Sequence, residues 1–189
     1  MREVKTDNHG PVAKELLARA ATENRPASLK FGPPASDAKA ILGAMTDQTI
    51  SQNRRVRMPH DAASLHAGLW LLFDFMNESH GFSQDTPTPS GSYWHAILHR
   101  REPDPGNAKY WFARIGEHPI LPELLQDARE LAAGSSLAGA FDKMTIWDSG
   151  WFVDRCCESN DAATEAVLLK IQRREWELLF EYNFKKAFA

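Results

Sequence analysis

The residues most able to do chemistry together lie between Ser92 and Glu102, in the run Ser-Tyr-Trp-His-Ala-Ile-Leu-His-Arg-Arg-Glu. On a helix, His95, His99 and Glu102 fall at i, i+4 and i+7 and share one side, while Trp94, Ile97, Leu98 and Arg101 share another. One turn of rise brings two imidazoles near enough to hold one ion, which is why zinc helices place histidines four apart. Glu102 could add an oxygen ligand or take a proton from a metal-bound water. A divalent metal such as zinc is therefore the expected cofactor, with hydrolytic or lyase chemistry through an activated water. Without a metal, His99 is the expected proton-transfer group, because an imidazole titrates near neutrality. The plainer alternative is that both rings bond backbone or solvent on a polar face.

The spacing departs from known metal patterns. The zinc-protease helix needs Glu directly after the first His, and here Ala96 stands there. Paired-carboxylate bundles need Glu-x-x-His, whereas His99 and Glu102 run in the opposite order. Further ligands must come from elsewhere, with His118, Asp74, Glu78 and Glu175 as candidates. Glu78 is the alternative general base to Glu102. His66 and His80 cannot both join one site if their helix is continuous, since that separation spans about 21 Å.

The following segment, Asn107 to Pro119, sets Lys109 and Arg114 among Tyr110, Trp111 and Phe112, just after Arg100 and Arg101. Guanidinium forks grip carboxylates and phosphates, and aromatic faces stack on flat ligands. A non-enzymatic module that binds an anionic or aromatic small molecule through Arg100, Arg101, Lys109, Tyr110, Trp111 and Arg114 is thus the competing reading. The same residues are also ordinary core and ion-pair material.

Periodicity supplies the elements that must carry these groups. No stretch alternates with a period of two, and the expected fold is all-α. It is a single irregular bundle of about seven or eight helices over residues 11–189, behind a disordered arm at 1–10. A helix over 61–79, apolar nearly all round and stopped at Gly81, should be the buried centre. Asp74 and Glu78 mark its least apolar side, read as a solvent edge. Further helices are expected at 11–23, after Ser36 or Asp37, from Ser90 or Ser92 to 102, from Asn107 to 115, at 119–133, at 146–158 and at 161–186. Residues 138–145 resist assignment. Glu175 falls on the apolar face of the last helix, so it must be paired, coordinated, protonated or able to reach water.

The chain has 189 residues, enough for one domain with a sizeable core. It carries 22 Lys+Arg against 25 Asp+Glu, a net charge of -3. That balance argues against bulk attraction to nucleic acid or an anionic membrane, and a small molecule is the expected partner. The start has no apolar leader, and the run 67–73 is too short to span a bilayer. The adjacent Cys156 and Cys157 do not suit a disulfide, so a reduced, cytoplasmic setting is expected.

The block Tyr-Trp-His-Ala-Ile-Leu-His-Arg-Arg-Glu at 93–102, with Gly-Asn-Ala-Lys-Tyr-Trp-Phe-Ala-Arg-Ile-Gly-Glu-His-Pro at 106–119, resembles a family of uncharacterised bacterial helical proteins. Residues 77–84 are similar to the segment that precedes the block there. The resemblance covers about the central third of the chain. It implies no activity or cofactor, and points only to the surroundings of His95 and His118 as the region of interest.

Overall fold

The computed structural model describes residues 8–188 and is all-α, with no strand among those residues. Eleven α-helices follow one another: α1 Pro11–Thr22, α2 Lys39–Gly43, α3 Asp47–Ser51, α4 Pro59–Leu72, α5 Met76–Gln84, α6 Pro89–Arg101, α7 Pro105–Phe112, α8 Leu121–Ala132, α9 Ala138–Lys143, α10 Ser149–Glu158 and α11 Ala162–Phe188. A short 3-10 turn at Ser36–Ala38 leads into α2. The count exceeds the expected seven or eight because several short elements escape a periodicity reading. α3 owes its start to a Thr46–Thr49 capping box in a polar stretch, and α9 occupies the segment that could not be assigned. Among the described residues no helix is long and apolar enough to cross a membrane.

The core forms where α4, α6 and α11 meet. Leu65, Leu69, Trp94, Leu98, Leu179 and Phe180 are all fully buried. Polar bonds fix the register of these helices. Trp94 Nε1 donates to Asn183 Oδ1 at 2.9 Å, and Asn183 Nδ2 donates to Asp61 Oδ1 at 2.9 Å. Trp176 Nε1 donates to the Gly68 carbonyl at 2.9 Å. Such bonds keep buried polar atoms satisfied while specifying a single packing.

The helix expected over 61–79 is in fact two helices. α4 ends at Leu72, Asp74 takes a left-handed conformation with φ 66, and α5 begins at Met76. Asp is one of the few side chains that visits this region. Its carboxylate is well held there: Oδ1 accepts from Arg101 at 2.6 Å, and Oδ2 accepts from Arg25 at 2.8 Å. Asp74 is therefore buried at the bend and is not part of a solvent edge. Gly81 lies inside α5 and does not stop it. Glu78 is half-exposed, with its carboxylate 3.6 Å from Lys39.

The other helix starts shift by a few residues for local reasons. Thr88, not Ser90 or Ser92, caps α6, its hydroxyl accepting from Gly91 N at 3.1 Å. A Cβ on Gly91 would lie 2.2 Å from the Thr86 carbonyl oxygen, so this close approach of the entering chain requires glycine. Asp104, not Asn107, caps α7. The arm expected at 1–10 falls mostly on residues 1–7, outside the described ones. Its end is packed: His9 is buried against Phe180 and Phe184, and Gly10 N donates to the Ile50 carbonyl.

Candidate metal centre

α6 presents His95 and His99 on one side, as the four-residue spacing predicts, with ring centroids 4.8 Å apart. The bend at Asp74 turns α5 back along α6 and lays His80 over them. Its ring lies 4.6 Å from His95 and 5.8 Å from His99. One ring nitrogen from each of the three lies within 4.8 Å of the other two. Zn–N bonds of about 2.0–2.1 Å in a tetrahedral site bring nitrogens to about 3.4 Å apart, so the trio would have to draw in by up to about 1.4 Å to hold an ion. His95 and His99 are buried and His80 is half-buried, so the group opens on the α5 side.

Each ring is held by different means. The indole of Trp111 on α7 stacks on His95, centroids 4.1 Å apart and planes within 18°. His95 Nδ1 is buried without a hydrogen-bond partner, the kind of orphan that a native interior rarely leaves unexplained. Burial, then the neighbouring His99 and His80, press its pKa down to about 4. His95 is neutral at pH 7 and offers a lone pair, the form a metal needs. His99 Nδ1 is bonded to Glu102 Oε2 at 2.8 Å, and the Asn107 amide nitrogen lies 3.1 Å from its Nε2. A carboxylate on one nitrogen fixes the tautomer and leaves the other free to ligate, which is the common outer-shell arrangement of metal-bound histidines. Asn107 would yield its place to the ion.

His99, Glu102 and Asp104 also bring ligand atoms within 4.8 Å. Both carboxylates are exposed, and Asp104 already accepts from Asn107 N at 3.1 Å as the α7 cap. Glu102 is therefore better placed to orient His99 than to act as a free base.

Several expected site residues lie elsewhere. His118 is not near the trio. It is buried beside Tyr93 and Tyr182, with Nε2 3.2 Å from Ser90 Oγ. Glu78 is two residues from His80, on a different side of α5, and faces Lys39. Glu175 is no ligand: Arg100 grips both its oxygens and Tyr93 OH donates to Oε1 at 3.0 Å. The Arg100 and Glu175 side chains are both fully buried. Burial works against the Arg100 charge, yet Glu175 holds it ionised above its ordinary range. Arg100 is thus unavailable to a ligand, and so is Arg101, tied to Asp74 and to the Leu71 carbonyl. Lys109 pairs with Asp154 at 2.6 Å. The cation cluster seen along the sequence is mostly consumed by internal carboxylates. Cys156 is buried, which lifts its thiol to about 12, so it stays protonated and structural.

The spacing along the sequence excludes His66 and His80 from sharing one site but does not single out His80, and the trio holds His80 without His66. The signal for His80 lay in Asp74, a carboxylate inside an apolar run that is better explained as a turn than as a helix edge.

His118 adds a pH dependence. Burial, then the charge of Lys186, hold its pKa near 4 against an ordinary 6.5, as burial first does for His95. The unfolded chain therefore binds more protons than the folded one between these values, and stability falls as pH drops from about 6.5 toward 4. Melting of the metal-free protein across that window should show the loss, and His118→Gln should flatten part of the slope. A melting temperature independent of pH there would contradict the burial of both rings.

Comparison of the chain with models of known protein families, with curated proteins and with solved structures gives no match.

Proposed function

We propose that this protein is a divalent-metal hydrolase or lyase whose ion, zinc by preference, is held by His80, His95 and His99. One observation carries the reading: three imidazole nitrogens gathered within 4.8 Å, two of the rings buried. Neutral imidazoles suit zinc and its neighbours among the divalent metals. Three protein ligands leave one position for water, and a three-histidine zinc lowers the pKa of that water to about 7. His80, His95 and His99 are the ligands, and Glu102 orients His99 through Nδ1. This replaces the centre expected from spacing, built on His95 and His99 with His118 or Glu102 as further groups and Glu102 or Glu78 as the base.

The test is a zinc titration of the purified, chelator-treated protein. One equivalent should bind to the wild type, and His95→Ala should abolish stoichiometric binding while leaving the helical spectrum intact. Wild-type protein that takes up no zinc, cobalt or nickel would remove the centre and leave a helical scaffold.

A further inference from the structure

Of the cations around the centre, Arg114 is the exception. Arg100, Arg101 and Lys109 each meet a carboxylate, whereas no ion pair of Arg114 is found among the described residues. It is exposed, and its guanidinium lies over two rings, 5.4 Å from the Trp111 centroid and 5.6 Å from that of Tyr110. Arg114 Nη1 donates to Tyr110 OH at 3.3 Å. Two ring faces and one hydroxyl hold the fork in place without neutralising it. Such an arrangement pre-pays ordering cost and leaves the planar donors open for an oxyanion. Trp111 is the same indole that stacks on His95. The free guanidinium and the imidazole trio therefore share one side chain as their common wall. Tyr110 adds a ring that is 57% exposed, a face on which a flat group can stack.

We infer that the substrate of the centre is a small, flat molecule carrying an oxyanion, with its reacting bond at the metal, its planar part along Trp111 and Tyr110, and its anionic group on Arg114. This rests on the metal reading above and adds the class of molecule that the centre takes. Carboxylate and phosphate share the chemistry that Arg114 recognises.

The probes are benzohydroxamate, whose hydroxamate chelates divalent metals, and its para-carboxy and para-phosphono derivatives. Their affinities for the zinc-loaded protein are measured by calorimetry on the wild type, Arg114→Gln and Arg114→Lys. A charge-assisted bond of about 1.5–3 kcal/mol corresponds to a preference of at least about tenfold for an anionic derivative over the parent compound. That preference should vanish in Arg114→Gln and partly return in Arg114→Lys, with zinc stoichiometry equal in all three. The stronger of the two anionic probes tells carboxylate from phosphate. Normal zinc binding with equal affinity for all three probes overturns this inference alone. Failure to bind zinc overturns the centre, and this inference with it. Binding of the anionic probes that is unchanged when zinc is removed would detach Arg114 from the centre and also overturn it.

Discussion

Glu175→Ala should destabilise the protein by about 3–5 kcal/mol, the largest single effect expected outside the apolar core. The reason is the company Arg100 keeps. Its guanidinium lies 4.7 Å from the Phe152 ring centroid and 5.8 Å from that of Phe112, with no exposed surface on its side chain. Glu175 accepts from Arg100 and from Tyr93 and balances the charge. Without it a charged group is left in an apolar setting, and Tyr93 loses its acceptor. Removing both charges should behave differently. Arg100→Met with Glu175→Leu replaces the pair by apolar groups, and such exchanges are often neutral or stabilising. Urea unfolding of the two variants separates the cases. A Glu175→Ala loss below about 1 kcal/mol would mean that water reaches Arg100.

His80→Ala should cost the zinc site more than Glu102→Gln, and the ratio between them distinguishes a ligand from the group that orients one. Loss of an outer-shell partner typically lowers metal affinity by about 10–100-fold. Glu102→Gln should fall in that range, because Glu102 meets His99 Nδ1 at 2.8 Å, which in the proposed centre leaves Nε2 for the ion. His80→Ala would remove one of the three proposed ligands, so its loss should exceed about 100-fold. Both sites are partly open to solvent, so neither change should unfold the protein. Competition with a chromophoric chelator measures both. Equal, small losses for the two variants would reduce the centre to the His95–His99 pair. A loss larger for Glu102→Gln than for His80→Ala would place the carboxylate on the metal.

The all-α class and most helix positions are legible in the spacing of apolar residues, because burial imposes a 3.6-residue period. The pairing of His95 with His99 is legible for the same reason, since a helix is its own ruler. What periodicity does not carry is a turn stabilised from a distance. The run from Leu65 to Met76 reads as one helix because its apolar residues continue through Phe73 and Phe75. The bend depends on Arg25 and Arg101 meeting Asp74, contacts 49 and 27 residues apart in sequence. The place of His80 beside α6 is not legible for the same reason, since it depends on that bend. Arg100 and Arg101 present a similar case. Beside Lys109 and Arg114 they look like an anion-binding cluster, and only the placement of Glu175 and Asp74 shows that their charge is already neutralised. A buried carboxylate at position 175 was recognisable as needing a partner. The identity of that partner was not, because it sits on another helix.

The coordination of the zinc-loaded protein is the decisive measurement for the three-histidine centre. X-ray absorption at the zinc edge, with an anomalous difference map from crystals of the same sample, reads ligand type and position together. One peak is expected between α5 and α6, with three imidazole nitrogens from His80, His95 and His99 at about 2.0 Å and one oxygen from water. A peak elsewhere, or a shell lacking the His80 nitrogen, would contradict that centre.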